Sequence, residues 1–477
     1  MRTVANIFEA SPVRFGTSGL RGLVEELTDE LCFAVTLGFL AHMRTRFEFE
    51  EVWLAHDLRP SSPRIAKAVV AAIRHSGLAP VFAGTVPTPA LMLAATQANA
   101  ASVMITGSHI PFDRNGLKFH SPKGEITKAD EAPIIGSAVT VPDTIAPSDL
   151  PDPVGTAEHD YAERYMRAFP DLLKHMRVGL WQHSAVGRDL FEALLGDLGA
   201  RVVPLGRSDD FVPVDTEAVA DEDRERARAW AKEHELDALF STDGDSDRPL
   251  LADGNGDFFR GDALGILTAH ALKAEGVATP VSSNTALERS GWFGEVARTR
   301  IGSPHVLDAM TDLATRHERV VGFEANGGFM VETRLETEAA TLAPLPTRDA
   351  LLPALATIAL AKREGGTLAD LHRLLPARFT RSDRLENRPT QASSDFLDTI
   401  AHNRGEQDAL LDGIGRVREV DETDGLRMRL DTDEIVHLRP SGNAPEFRIY
   451  VETADEARAV DLLADVKSRL AERLPEG

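Results

Sequence analysis

ELDALFSTDGDSDRP, residues 235–249, changes character at its midpoint. A short apolar run ends abruptly in a polar loop that carries a glycine and three alternating aspartates. A run of this length bounded by turn residues reads as a strand buried on both faces. Three other stretches repeat the pattern: ASVMIT runs into GSHIPFDRNG (101–116), ERVVGF into EANGG (318–328) and EIVHL into RPSGNAP (434–445). Between them, Val-, Ile- and Ala-rich runs alternate with longer amphipathic stretches, the pattern of strands and helices in α/β layers. Ligands in such sheets gather outside the carboxyl ends of strands, so the four loops are expected to share one site.

The chain has 477 residues, enough for about three or four domains of roughly 100–150 residues each. Pro-rich, acidic VPDTIAPSDLPDPVG (141–155) reads as a linker, a second boundary is expected near Asp253, and a third where LLPARFTRSDRLENRP (374–389) breaks a helical pattern. The expected domains are therefore 1–150, 151–253, 254–375 and 376–477. In the last, the EIVHL and EFRIYVE runs flank a turn and DEARAVDLLADVKSRLAERL (455–474) has helical apolar spacing. The single cysteine, Cys32, lies in LCFAVTLGFLAHM, read as an amphipathic helix in which the thiol is a small buried hydrophobe. One cysteine permits no disulfide framework, and no run approaches the ~20 apolar residues of a membrane span, so a cytoplasmic protein without membrane contact is expected. A net charge of −23 argues against nucleic acid as a partner, and an anionic small molecule would need a local basic pocket.

The aspartates Asp243, Asp245 and Asp247 crowd three negative charges together. Such oxygen clusters suit a hard cation, Mg²⁺ or Ca²⁺. An EF-hand loop would require glycine and glutamate where this chain has Arg248 and Gly254, so that loop type is excluded. Ser108 is bounded by Gly107 and His109, a setting that by itself fits a turn residue or helix cap. No Gly-x-Ser-x-Gly elbow occurs, and in an extended segment the side chains of Ser108 and His109 would point apart, which disfavours a serine-hydrolase triad.

FGTSGLRG (15–22), AHDLRPSS (55–62), TVPTPAL (85–91), TGSHIPFDRNGLKF (106–119), TDGDSDRP (242–249), FEANGG (323–328) and RPSGNAP (439–445) resemble, in order and over nearly the whole chain, the signature loops of the α-D-phosphohexomutases. The resemblance implies three consecutive α/β domains and a smaller α+β C-terminal domain. It also implies an isomerase that moves phosphate between the 6- and 1-positions of a hexose through a phosphoserine and a bisphosphorylated hexose. Mannose phosphates are the expected substrates, with glucose phosphates or dual specificity as the alternative. A sugar-phosphate sensor would have no use for a phosphate donor.

The same resemblance assigns roles. Ser108 becomes the phosphate carrier and, with Asp243, Asp245 and Asp247, a ligand of Mg²⁺. Three carboxylates and a phosphoserine of about −1.5 to −2 charge exceed what Mg²⁺ balances, so cations must sit nearby. Arg21, Lys118 and Arg248 stand at the matching positions. Lys118 is the candidate acid/base and His109 a phosphate-orienting or proton-transfer group. Glu324 and Asn326 are expected to read sugar hydroxyls, with His305 of IGSPHV (301–306) as a possible addition. Arg439, Ser441, Gly442 and Asn443 are expected to clamp the phosphate that does not react. Where many relatives read Glu-x-Ser-Gly-His, this chain has Glu324-Ala325-Asn326-Gly327-Gly328, so serine at 326 with histidine at 328 is expected to shift the sugar preference.

Overall fold

A computed structural model describes residues 2–146, 148–441 and 446–474. Four main sheets follow one another along the chain. The first has seven strands, with Glu51–His56 paired in parallel to Ala79–Gly84 and Ala101–Ile105. The second has four, built on Arg177–His183 between the parallel strands Arg201–Arg207 and Ala238–Thr242. The third has five, with Gly276–Pro280 parallel to Glu295–Thr299 and Val320–Phe323. The fourth, also of five strands, is antiparallel throughout. Three mixed α/β units and a C-terminal α+β unit are the expected architecture.

The strands that the apolar runs foretold are all present, and a shared rule fixes where the polar loops lie. In each of the first three sheets a central parallel strand runs into a loop and returns as its own antiparallel neighbour. Ala101–Ile105 returns as Arg114–Ser121, Ala238–Thr242 as Pro249–Asp253, and Val320–Phe323 as Phe329–Val331. In the fourth sheet, Ile435–Pro440 and Phe447–Thr453 flank the RPSGNAP loop. Each of the polar loops of the first three sheets is therefore held at both ends by ladder hydrogen bonds, a rigid mounting for side chains.

One apolar core runs through the first three units, from Ala90 and Leu91 through Tyr161, Tyr165 and Leu264 to Leu351 and Leu355. The C-terminal unit keeps a core of its own around Leu438, Phe447, Ile449, Leu462 and Val466. Both Tyr161 and Tyr165 are fully buried, and their hydroxyls donate to the Asp349 carboxylate, which also accepts from the amides of Leu351 and Leu352 at the start of the helix Leu351–Arg363. Four donors on one buried carboxylate satisfy the rule that interior charge must be fully hydrogen-bonded.

Two local expectations change. The helix Asp29–Met43 is buried around nearly its whole circumference rather than amphipathic, because the sheet lies on one side and other helices cover the other. Burial pushes the Cys32 thiol up to about 12, which makes it inert. Residues 379–385, inside the stretch read as a boundary, form an edge strand of the fourth sheet, paired with Phe447–Thr453. The linker 141–155 forms no helix or strand in its described part. No helix among the described residues is long and apolar enough to cross a membrane.

Candidate active site

The loop after Ala101–Ile105 is cast around a buried arginine. Arg59, held by Asp57 through Nε at 3.1 Å, donates from Nη2 to the carbonyls of Ser108 and Ile110 and from Nη1 to that of Pro111. Asp57 also accepts from Thr106 Oγ1, and Thr106 Oγ1 in turn accepts the Ser108 amide at 2.7 Å. A Cβ at Gly107 would lie 2.6 Å from the guanidinium, so only glycine lets the loop close on Arg59. Ser108 itself adopts φ of +53°, a left-handed conformation that is uncommon outside glycine and typical of constrained functional loops. The expected extended geometry is thereby overturned. The turn swings the hydroxyl toward the second unit, where Ser108 Oγ donates to Asp243 Oδ2 at 2.6 Å, and it leaves His109 Nδ1 only 3.4 Å from that hydroxyl.

Asp243, Asp245 and Asp247 are fully buried, and one oxygen of each lies within 4.8 Å of the others. Gly244 permits the approach of the two loops, because a Cβ there would meet the Ser108 carbonyl oxygen at 2.7 Å. Lys118 Nζ lies 2.5 Å from both Asp245 Oδ2 and Asp247 Oδ2. Thr88, at the start of the helix Thr88–Gln97, donates to Asp245 Oδ2 at 2.6 Å. Asp245 Oδ1 and Asp247 Oδ1 remain buried with no hydrogen-bond partner. Two orphaned carboxylate oxygens beside a third carboxylate are an all-oxygen donor set that fits a hard divalent cation.

The electrostatics follow from that crowding. Burial, with the charges of Asp245 and Asp247, pushes the Asp243 carboxyl up to about 8. Burial also opposes ionisation of the other two, but the Lys118 ammonium holds Asp245 low and the Arg348 guanidinium does the same for Asp247. Arg248 donates from Nη1 to His109 Nδ1 at 2.8 Å. A guanidinium has only donors, so Nδ1 is the acceptor and the ring's proton sits on Nε2. Burial and the Arg248 charge push His109 well below the usual imidazole range, so it is neutral at pH 7. Burial lowers Arg21 to about 10, still charged at neutral pH.

A cleft to which all four units contribute begins at His109 and Arg248, the neighbours of Ser108 and Asp243. Its walls include His109, Arg248, Glu324, Asn326 and Arg348, and the far end carries Arg384, Arg439, Ser441 and Arg448 from the C-terminal unit. Asn326 Oδ1 accepts the Gly328 amide at 2.9 Å, so the loop itself uses the side-chain carbonyl and the amide nitrogen is the group left for a ligand. Arg439 donates from Nε to Asp424 at 2.9 Å. His305 sits half-buried in the first turn of the helix Ser303–Leu313 and is not among the lining residues. Gly442 and Asn443 lie outside the described residues.

Four family models match the chain in order: phosphoglucomutase/phosphomannomutase alpha/beta/alpha domain I over residues 12–142, domain II over 160–256, domain III over 260–379, and the C-terminal domain over 386–468. A phosphomannomutase from Salmonella muenchen is 43% identical, with 99% of each chain covered. This chain belongs to the phosphoglucomutase/phosphomannomutase family. A second phosphomannomutase, from Sinorhizobium fredii, is 42% identical over 94% of this chain and 97% of its own. Among solved structures, a phosphoglucomutase/phosphomannomutase family protein from Burkholderia thailandensis superposes with a TM-score of 0.76 at 20% identity, covering 100% of this chain and 99% of that one, which speaks for the fold.

Within this phosphohexomutase three cleft or loop residues escaped the sequence reading. Arg59 lies in AHDLRPSS, a stretch noted for its resemblance but given no role. Arg448 was legible: in EFRIYVE it alternates with Phe447 and Ile449, and such alternation turns it to the polar face of the strand. Arg348 had no sequence signal, since PTRDAL carries no motif. The loop exchange expected to shift the sugar preference meets a packing constraint. A Cβ at Gly328 would lie 2.6 Å from Arg348 Cδ, so histidine at 328 cannot be introduced while Arg348 keeps its place.

Proposed function

We propose that the protein is a phosphomannomutase, interconverting mannose 6-phosphate and mannose 1-phosphate through phosphorylated Ser108 and a bisphosphorylated hexose. The observation that carries this reading is the 2.6 Å contact of Ser108 Oγ with Asp243, which joins the candidate carrier to the acidic triad beside a cleft with arginines at its far end. The names of the two relatives above 40% identity support mannose as the sugar.

In the first half-reaction the Oγ–P bond of phosphorylated Ser108 breaks as phosphorus bonds to the sugar's free 1- or 6-oxygen, whose hydroxyl loses its proton; in the second, the phosphate at the other position returns to Ser108 Oγ as its bond to the sugar oxygen breaks and that oxygen regains a proton. Lys118, between Asp245 and Asp247, is the group we assign to move that proton. Asp243, Asp245 and Asp247, with a phosphate oxygen on Ser108, would hold Mg²⁺, which when bound offsets carboxylate and phosphate charge. Arg248 and Arg21 add positive charge beside the transferring group, and neutral His109 keeps Nε2–H as a donor. Glu324 and Asn326 read the hydroxyls. Arg439 and Ser441 hold the other phosphate, so the bisphosphate must turn over between the two halves. His305, in the first turn of the helix Ser303–Leu313, is a further candidate for reading the sugar.

The test is turnover. Protein given Mg²⁺, a trace of hexose 1,6-bisphosphate and either mannose 1-phosphate or glucose 1-phosphate should isomerise both or mannose preferentially, with phosphate recovered on Ser108 by mass spectrometry. Binding of the sugars without turnover would support a sensor instead, and a glucose rate above the mannose rate would reassign the substrate.

A further inference from the structure

We propose that Arg348 is the positioning residue that fixes the hydroxyl-reading carboxylate of Glu324 against the aspartate loop, and that residue 328 is glycine to make room for it. The proposal rests on the mutase reading above. Arg348 is only 1% exposed, yet its guanidinium serves all three α/β units. Nε and Nη2 each lie 3.0 Å from Asp247 Oδ2, Nη1 donates to Glu324 Oε2 at 3.1 Å, and Nη2 lies 3.2 Å from Ser18 Oγ. Among the described residues, Arg348 is the only hydrogen-bond partner that Glu324's carboxylate has, which leaves Oε1 for the cleft that Glu324 lines.

The local architecture makes this arrangement possible. The strand Leu345–Asp349 pairs antiparallel with Phe329–Val331, and residues 328 and 348, each one step from the Phe329–Asp349 pair, approach each other diagonally across it. A Cβ at 328 would stand 2.6 Å from Cδ and 2.7 Å from Cγ, against the stem of a side chain whose head is pinned on several groups at once. Nothing flexible is available to give way. A planar fork can hold two carboxylates from different units at fixed mutual geometry, whereas an ammonium is a point charge that can neutralise them without orienting both. Arg348 therefore transmits the position of the metal-side loop to the residue that reads the sugar.

The test uses R348K, G328A, E324Q and the R348K/E324Q pair in the full-length protein, with melting curves recorded for each. In R348K the KM for mannose 1-phosphate should rise about tenfold to a hundredfold, more than kcat falls, as for loss of a charge-assisted contact. A purely structural defect would lower the active fraction, and hence kcat, at unchanged KM. Because Arg348 acts through Glu324, adding R348K to E324Q should raise KM no further. G328A keeps every charge and should raise KM at least fivefold by displacing the Arg348 stem; it decides the matter should R348K fail to fold. Folded R348K and G328A with KM within twofold of wild type, or additive effects of R348K and E324Q, would overturn the proposal. Wild-type protein without turnover on any hexose monophosphate would instead be a failure of the mutase reading.

Discussion

Replacing Lys118 separates charge balance from proton transfer. Its Nζ is 2.5 Å from two fully buried carboxylates, with the lysine side chain itself 3% exposed. Lys118→Met leaves Asp245 and Asp247 without that cation, and removing one partner of a buried ion pair typically costs about 3–5 kcal/mol. For a cooperative unit of roughly 150–250 residues, that lowers the melting midpoint by about 6–20 °C. The loss should be largest in chelator and should shrink when Mg²⁺ is added, since a divalent cation at the triad supplies the missing positive charge. Lys118→Arg is the control: it keeps the charge beside the carboxylates but is always protonated, so it cannot take a proton from the sugar hydroxyl. Lys118→Arg should therefore melt within a few degrees of wild type while kcat falls by about 10²-fold or more. The assays are differential scanning calorimetry with and without Mg²⁺ and the coupled mutase assay. A well-folded Lys118→Arg enzyme with kcat within threefold of wild type would reduce Lys118 to a charge balancer. Lys118→Met melting like wild type in chelator would refute the clamp itself.

Ser108→Ala should abolish turnover by at least ~10³-fold with little change in melting, because the hydroxyl carries the reaction and not the core; near-normal activity would remove it as carrier. With Asp243 pushed up to about 8, the metal-free protein holds that proton at pH 7, and a cation must displace it. Apparent Mg²⁺ affinity should accordingly weaken as pH falls below about 8, by up to tenfold per unit, with proton release seen by calorimetry in buffers of different ionisation enthalpy; an affinity flat from pH 6 to 8 contradicts this. Arg439→Ala should lower kcat/KM about tenfold to a hundredfold for both monophosphates, since in the proposed mechanism Arg439 holds whichever phosphate is not reacting. Values within twofold for both would make the Arg439 strand a structural element only.

What could be read from the sequence was local, and what escaped depends on pairing across long separations. Asp243, Asp245 and Asp247 stood out as a cation site because they alternate in a loop after an apolar run, whereas Ser108 and Arg248, in loops of the same kind, took their roles from the resemblance. The alternation pointed to α/β layers, and the resemblance supplied the order of three α/β units followed by an α+β unit. Arg348 contacts Asp247 at a separation of 101 residues and Ser18 at 330. It sits on a strand with no loop chemistry around it, so neither composition nor periodicity distinguishes it from an ordinary charged residue. The helix Asp29–Met43, read as amphipathic, is instead buried on most of its surface, because the sheet on one side and neighbouring helices on the other come from distant parts of the chain. His109 was placed correctly in sequence and wrongly in conformation, because a positive φ at Ser108 is enforced by Arg59 from 49 residues away.

The arginines also explain how a chain of net charge −23 can receive an anion. They divide into two sets by partner. Arg348 and Arg248 at the carrier end face Asp247 and Asp243, and their charge is largely consumed in holding the triad and Glu324. Arg384, Arg439 and Arg448 at the far end come from the antiparallel unit, where the acidic groups near them, Asp424 and Glu446, lie at the ends of strands of the five-stranded sheet. A phosphate arriving at the carrier end meets a site already balanced by aspartates, and it needs a cation before it can approach. A phosphate at the far end meets guanidinium forks whose carboxylate partners are only partly buried and can be exchanged. On the proposed mutase reading, binding energy is concentrated where the phosphate does not react, and the reacting end is left to discriminate by geometry. That division predicts that salt weakens KM through the far-end arginines more than it changes kcat, an outcome measurable by following both constants from low to high ionic strength.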